Sequence, residues 1–383
     1  MAVTFMSGFE GQAAALESDG GASSGLLFSG TTSFNTTNFR SGAASLRCNP
    51  ASGASGFAQI NGAAAKGFLH FGLRIATLPP LARVVMGTLN TGANLKINSD
   101  GTLEVFDGST SRGSSAALST NTWYWIGFRE TLGTSVALLQ VDGVTAVTGT
   151  TAADISPSNI GFSGTEASAA DIYIDDVIRD DSGFLQPSKV DTALPISDNT
   201  VTGVTDNNGV TTNIWQCVDN TPPTGVASAN EAANPKTGMH FPASTTCNYL
   251  ANLETYTTLG IGASDTVLAV RSVVRHGEDI ATGTKNLQNM GALTNPTVAG
   301  ASVTAGADGG AHGAEAGLWV TNFGTVTASP SVTLGTSPTI RTSRTSESRV
   351  ACVDFMGMVV AWTPAAAAAN PPRSTQMTQL LAH

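Results

Sequence analysis

The chain is short of charged residues, histidine and cysteine, and each shortage narrows the functions open to it. Charged residues make up 12% of the 383 residues, about half of the usual share of about 25%. Five histidines offer few general bases for catalysis. The four cysteines are far apart and form no CxxC pair, so the sequence indicates no structural zinc site: Cys48, Cys217, Cys247 and Cys352. We expect buried free thiols at Cys217, Cys247 and Cys352, because their neighbours are apolar and strand-like.

Long apolar runs and clusters of basic residues are also absent from the sequence. No run approaches the about 18 apolar residues of a membrane-spanning helix. The first ten residues have neither the basic start nor the apolar core of a secretory signal. The net charge is −10, and no Lys/Arg cluster provides the electrostatic footprint of a nucleic-acid binder. We therefore expect a protein made in the cytoplasm, with no membrane span and no nucleic-acid partner.

Glycine, alanine, serine and threonine are abundant, with 42 glycines alone. A surface rich in hydroxyl and amide groups suits packing against neighbouring subunits, because few charges must be desolvated. A solvated β-protein with long Thr/Ser/Gly turns accounts for the same composition.

The first half of the chain is organised around the segment Asp171–Arg179. Apolar and polar residues alternate there with period two, which predicts a half-buried strand, and the breaker run 180–183 follows it. About a dozen similar segments precede it, including Phe68–Ile75 and the aromatic Trp123–Arg129. Asp-Gly pairs at 100–101 and 142–143 predict hairpin turns, because these residues tolerate positive φ.

The second half continues with strand patterns after a linker-like stretch at 187–195. We predict strands in six segments: 213–219, 246–251, 265–275, 317–323, 349–355 and 356–362. The sequence therefore indicates an all-β fold of two antiparallel β-sandwich domains, jelly-roll-like and in tandem. The predicted domains are residues 1–186 and 187–364, followed by a C-terminal arm at 365–383. In that arm, residues 374–381 could form two helical turns against a neighbour, or could be a frayed tail.

The order of short motifs in the first half resembles a known domain type. Gly8-Phe9-Glu10 is followed by Ser45-Leu46-Arg47, then by the strand Phe68–Ile75, Asp100-Gly101-Thr102-Leu103, 118–124, Val141-Asp142-Gly143 and Tyr173–Val177. This series resembles the concanavalin A-like (laminin-G-like) jelly-roll domains of tailed-bacteriophage virion proteins. The resemblance covers most of residues 5–180 and implies two packed antiparallel sheets with a role in binding or assembly. The second half is similar to the β-domain that accompanies such modules.

Motifs typical of catalysis are absent from the sequence. The sequence has no GxSxG elbow, no HExxH pair and no phosphate-binding loop. A glycosidase would need two carboxylates, and six residues are candidates: Glu10, Glu104, Glu130, Asp142, Asp175 and Asp176. Asp175 and Asp176 are adjacent, so we expect them on opposite faces of the strand, one exposed and one hydrogen-bonded at the strand end. No catalytic or cofactor-binding residue is predicted.

Two binding hypotheses remain. Asp171, Asp175 and Asp176 concentrate oxygen ligands near one strand, and Ca²⁺ takes about 6–8 oxygens, so calcium is a candidate cofactor at the sandwich rim. Tyr124 alternates with Trp123 and Trp125, which we expect to pack in the core. An exposed Tyr124 could stack on a sugar ring or on a neighbouring subunit.

These features together favour a non-enzymatic structural component of a bacteriophage virion, a minor tail or tail-tip protein. Its partners would be other virion proteins, further copies of itself and a host-surface glycan. A capsid decoration or head-fibre protein is an alternative location. A carbohydrate-binding or glycan-cleaving jelly-roll protein is an alternative function.

Overall fold

In the computed structural model, 26 strands and one short 3-10 helix make up the regular structure of the described residues, and every strand pair is antiparallel. The described residues are 3–9, 26–60, 66–88, 91–155, 158–206, 209–218, 239–242, 244–278, 287–292, 302–303, 320–323, 327–328, 339–344 and 351–365. The predicted all-β fold class is confirmed. No helix in these ranges is long and apolar enough to cross a membrane.

Fifteen strands lie in the first half of the chain. They are β1 (Val3–Ser7), β2 (Leu26–Gly30), β3 (Thr32–Asn35), β4 (Ser45–Cys48), β5 (Gly56–Ile60), β6 (Phe68–Thr77), β7 (Arg83–Thr88), β8 (Thr91–Ile97), β9 (Leu103–Asp107), β10 (Thr110–Ser114), β11 (Trp123–Arg129), β12 (Gly133–Val141), β13 (Val144–Thr151), β14 (Asn159–Phe162) and β15 (Asp171–Asp180). Sheet 1 has the order β13-β12-β11-β6-β15-β4-β3, with β1 also on β15. Sheet 2 has the order β10-β9-β8-β7-β14-β5-β2.

Sheets 1 and 2 pack face to face around the first apolar core. On β6 the alternation predicted from the sequence puts Leu69, Phe71, Leu73 and Ile75 into that core, each without solvent exposure. The hairpin at 142–143 forms as predicted, with φ of 50° at Asp142 and 79° at Gly143. The turn between β8 and β9 has Gly101 at φ 86°.

Eleven further strands are described in the second half. They are β16 (Lys189–Ala193), β17 (Pro195–Thr202), β18 (Met239–Phe241), β19 (Cys247–Leu253), β20 (Thr266–Glu278), β21 (Leu287–Ala292), β22 (Ser302–Val303), β23 (Val320–Phe323), β24 (Thr327–Ala328), β25 (Thr339–Arg344) and β26 (Ala351–Thr363). Sheet 3 has the order β16-β26-β20-β23, with β18 on β26 and β24 on β20. Sheet 4 has the order β17-β19-β25-β21-β22. A second apolar core, which includes Tyr249, Met356 and Trp362, lies between them.

Two local predictions for the second half are wrong. The segment predicted as a strand at 213–219 contains a 3-10 helix, Ile214–Cys217, because the Asp198 carboxylate accepts the backbone N–H groups of Ile214 at 3.0 Å and Trp215 at 2.9 Å. These N–H groups therefore have a side-chain acceptor in place of a strand partner. The stretch predicted as a linker at 187–195 contains β16, whose five residues all pair with β26.

Apolar side chains join the two sandwiches at a third cluster, which we call the seam. It consists of Val3, Met6, Trp125, Ile178, Leu185, Val190, Ala269, Val273, Phe355, Val359 and Ala361, all buried. These residues come from the outer face of sheet 1, the connecting segment and the outer face of sheet 3. The four sheets therefore lie in the order 2, 1, 3, 4, with an apolar layer between each neighbouring pair.

Three cysteines of the described residues carry free thiols. Cys48 and Cys247 are buried and Cys217 is half-buried, and burial raises the pKa of Cys48 far above its ordinary value. The side chain of Cys352 and the arm beyond Ala365 lie outside the described residues.

Candidate functional site on the outer face of sheet 1

Sheet 1 carries an unusual set of polar and aromatic side chains on the face that points away from its core. On β6 these are Phe68, His70, Gly72 and Arg74, which alternate with the four core residues. The connecting segment 181–188 crosses the part of this face around His70. Arg74 lies further along the same strand, at the open part of the face, and is half-buried.

A bulge in β15 brings two aspartates to this face. Between Asp175 and Ile178 the pairing with β6 gains one extra residue, and Asp176 has φ of 53°. Both carboxylates are fully buried. Both also contact the same β3–β4 loop: Asp175 accepts the backbone N–H of Arg40 at 2.7 Å, and Asp176 accepts the Ser41 hydroxyl. The predicted split into one exposed and one hydrogen-bonded aspartate is therefore wrong, because the bulge cancels the strand alternation.

Asp176 connects the first sandwich to the start of the second. Its carboxylate accepts the backbone N–H of Val190 in β16 at 2.6 Å and pairs with the Arg40 guanidinium at 2.5 Å. Arg40 also donates to the backbone carbonyl of Ser188 and lies over the Trp125 ring, 5.0 Å from its centroid. The seam thus has a buried, charge-assisted polar tie beside its apolar cluster.

Further carboxylates surround this tie. Burial raises the pKa of Asp175 well above its ordinary value, and the neighbouring Asp176 adds to the effect. Burial also raises the pKa of Asp191, on β16, to about 7, against the lowering effect of the hydrogen bond from the Thr192 N–H, and the nearby charges of Glu254 and Asp176 raise it further. The charged form of Asp191 is therefore disfavoured in the folded protein at neutral pH.

His70 holds the connecting segment in place. Its Nε2 accepts the backbone N–H of Leu185 at 2.9 Å, and its ring stacks on Trp125 with centroids 5.8 Å apart. Burial lowers its pKa to about 4, so the ring is neutral at physiological pH. Trp125 Nε1 donates to the carbonyl of Leu185 at 3.3 Å, which fixes the same residue from a second side. The alternation in Phe68–Ile75 places His70 on the same face as Arg74, but no sequence pattern indicates Leu185 as its partner.

The open part of the face carries a row of alternating arginines and aromatic rings. Neighbouring strands place Arg47, Tyr173, Arg74 and Trp123 directly opposite one another, in that order across sheet 1. The Arg47 and Arg74 guanidiniums lie 5.7 Å and 5.2 Å from the Tyr173 ring centroid. We call these four residues the arginine–aromatic row.

The two arginines of the row differ in their partners. Arg47 forms a bidentate pair with Asp171, with distances of 3.0 Å and 2.7 Å, and this hydrogen bonding raises the pKa of Arg47. Within the described ranges, the Arg74 guanidinium has no ion-pair or hydrogen-bond partner and lies over the Tyr173 ring. Arg74 thus presents free donors at the sheet surface.

The three calcium candidates do not come together. Asp171 is bound by Arg47, and about 13 Å of strand separates it from Asp175 at the usual rise per residue. Backbone or side-chain donors occupy the carboxylates of Asp175 and Asp176. No group of three His, Cys, Asp or Glu residues in the described part of the chain is placed to hold a metal ion. The calcium hypothesis stays a prediction.

Tyr124 was expected on the outer face of its strand, but it lies on the core face. Its ring packs against the first core, and its hydroxyl oxygen accepts the backbone N–H of Ser119 at 2.9 Å. The tryptophans occupy the outer face instead, with Trp125 buried at the seam and Trp123 half-buried in the row. Whether Tyr124 contacts a glycan or a subunit stays a prediction.

Among the other candidate carboxylates, Glu10 lies outside the described residues, and Glu104, Glu130 and Asp142 hold local structure. Glu130 forms a buried pair with Arg179, with Oε1 accepting a hydrogen bond from the guanidinium at 2.8 Å. Asp142 accepts the backbone N–H of Trp125 at 2.8 Å, and Glu104 accepts from Ser111 and Asn98. Each of these contacts is intramolecular and accounts for the position of its carboxylate.

A small apolar pocket lies between the β10–β11 connection and the β12–β13 hairpin. Its volume is about 240 Å³, and it is lined by Ser115, Ala116, Leu118, Val141, Val144, Thr145 and Ala146. The lining has no charged or aromatic side chain, so it offers neither a charged donor nor a ring face to a sugar.

Comparisons with known proteins leave the chain without a family. No family model and no curated protein matches it. Among solved structures, Trypanosoma rangeli sialidase aligns at 14% identity over 42% of this chain, with a TM-score of 0.28. The tandem CBM22-1–CBM22-2 domain of Paenibacillus barcinonensis Xyn10C aligns at 10% identity over 93% of this chain and 97% of that one, with a TM-score of 0.25. The chain spans 29% of the sialidase, and alignments at these scores define no activity for it.

Proposed function

We propose that this chain is a structural component of a tailed-bacteriophage virion, a minor tail or tail-tip protein that works through binding surfaces and not through catalysis. Its partners are neighbouring virion proteins and a glycan of the host surface. The resemblance of residues 5–180 to virion jelly-roll domains supports the proposal, as does the low charge of the chain.

The observation that carries the proposal is the seam between the two sandwiches. Domains that share a small polar interface move relative to one another, whereas a large apolar interface fixes them. Here eleven buried apolar residues, together with the hydrogen bond that the Val190 N–H donates to Asp176, join sheet 1 to sheet 3. A rigid tandem of this kind suits a part that holds a binding surface at a fixed distance from its anchor.

Immunogold labelling of the particle with an antibody raised to this chain tests the location. Gold at the tail end is the expected result. Gold spread over the head would contradict the tail assignment and indicate a decoration or head-fibre protein. Particles without gold would refute the virion proposal itself.

The absence of catalysis is tested separately with the purified chain. We expect no release of new reducing ends from a panel of bacterial polysaccharides during prolonged incubation. Release that disappears in the Glu104→Gln or the Asp142→Asn variant would favour the glycan-cleaving alternative, because Glu104 is half-buried and Asp142 is exposed. Circular dichroism checks that each variant is folded.

A further inference from the structure

From the arginine–aromatic row we infer a binding site for a carboxylate-bearing glycan, centred on Arg74. The inference extends the attachment part of the proposed function. It concerns the isolated chain, so its test is independent of where the chain sits on a particle.

The first argument is the state of Arg74. An arginine held at a protein surface normally pairs with a carboxylate or donates to carbonyls, as Arg47 and Arg129 do here. Arg74 contacts the Tyr173 ring on one side and lies opposite Trp123 on the other. Among the described residues nothing accepts from its guanidinium, whose planar fork of donors matches a carboxylate in two parallel hydrogen bonds.

The second argument is the absence of a side chain at Gly72, next to Arg74 on the same face of β6. Gly72 precedes Arg74 on the same face, and a Cβ there would lie 2.8 Å from Arg40 Cδ and 3.5 Å from Trp123 Cε3. The missing side chain therefore lets Arg40 and Trp123 lie across the sheet. An aromatic ring next to a free guanidinium offers an apolar face for a sugar ring and a donor pair for its acid group.

The third argument concerns the class of ligand. The chain carries a net charge of −10, and Asp171 borders the row, so the surface lacks the cluster of cations that a nucleic acid needs along its backbone. A glycan that places one carboxylate on the row needs only one free arginine at that contact.

The test is calorimetric titration of the full chain with hexamers of galacturonic acid and of sialic acid, with neutral dextran as control. We expect one of the acidic hexamers to bind, more weakly as salt rises, and dextran not to bind. Arg74→Gln should weaken binding at least tenfold and Trp123→Ala at least fivefold. Near-ultraviolet circular dichroism and melting temperature confirm that each variant is folded.

Arg129→Gln is the matched control. Arg129 lies on the same face, stacks over Phe68 at 5.2 Å, and donates to the carbonyls of Thr131 and Leu132. Its loss removes the same charge, and we expect less than a twofold change. Equal weakening in the Arg74 and Arg129 variants would show diffuse electrostatic attraction and overturn the inference. So would the failure of both acidic hexamers to bind, whatever immunogold labelling shows.

Discussion

Replacing Asp191 by asparagine should stabilise the protein at alkaline pH and have little effect at acidic pH. Asp191 lies on β16, and its Oδ1 accepts the backbone N–H of Thr192 at 2.7 Å, which an asparagine oxygen can also accept. Burial raises its pKa from the ordinary value of 3.8 to about 7. The unfolded chain therefore releases this proton at lower pH than the folded protein does.

The sign and size of the effect follow from that difference. Between pH 4 and pH 7 the folded state binds more protons, so the free energy of unfolding falls as pH rises through this interval. Each pH unit costs about 1.4 kcal/mol, and the full interval costs about 4 kcal/mol. Asp191 is only partly shielded from solvent, and water screening reduces the expected gain of Asp191→Asn at pH 8 to about 2 kcal/mol.

Thermal melting followed by fluorescence at pH 4, 6 and 8 measures the effect. A gain of about 2 kcal/mol corresponds to about 4–8 °C for a domain of this size. Asp154→Asn is the control, because it removes one negative charge at an exposed position, and its change in melting temperature should stay small at each pH. A gain for Asp191→Asn that is the same at pH 4 and pH 8, or a loss at pH 8, would refute the reasoning.

Three more predictions concern the seam. Asp176→Asn should lower the free energy of unfolding by about 3 kcal/mol, because the mostly buried Arg40 guanidinium loses its carboxylate partner. Urea unfolding that matches the parent would contradict the buried tie. Gly127→Ala should lower the free energy of unfolding by about 1–3 kcal/mol, because the added Cβ would lie 2.8 Å from Phe184 Cδ1. Gly183→Ala is the control and should be neutral, because a Cβ at Gly183 meets nothing within 4 Å. For His70 the pKa in the folded protein is about 4, below the ordinary 6.5, so the free energy of unfolding should fall as the pH drops from 6.5 to 4. His70→Gln should remove that part of the pH dependence. A variant with the same pH dependence as the parent would argue against burial of the neutral ring.

The sequence predicted those parts of the fold that depend on local periodicity. The alternation in Phe68–Ile75 identified the core face of β6 correctly, and the Asp-Gly pairs identified two turns, because both signals act over a few residues. The strand predicted at 213–219 is wrong because the backbone N–H groups of Ile214 and Trp215 bond to Asp198, 16 and 17 positions earlier in the chain. No periodicity can indicate an acceptor supplied by the fold.

Less of the candidate site could be predicted from the sequence, because the position of each of its residues depends on the pairing register of the strands. Asp175 and Asp176 were expected on opposite faces by simple alternation, and only the extra residue in the β15–β6 ladder brings both to the Arg40 loop. Trp123 and Trp125 were expected in the core because they are aromatic, but both lie on the outer face of sheet 1. The seam covers part of that face, so Trp125 is buried there as well.

Strand register also explains why a charge-poor chain can place two arginines on either side of one aromatic ring. Arg47 and Arg74 lie 27 positions apart in the sequence and show no cluster there, yet β15 aligns both with Tyr173. Asp171 neutralises Arg47, whereas Arg74 has no carboxylate partner among the described residues. With so few charges in the chain, an arginine left without a partner stands out more clearly than it would on an ordinary surface. That contrast between Arg74 and its paired neighbours singles out one residue for the first binding experiment.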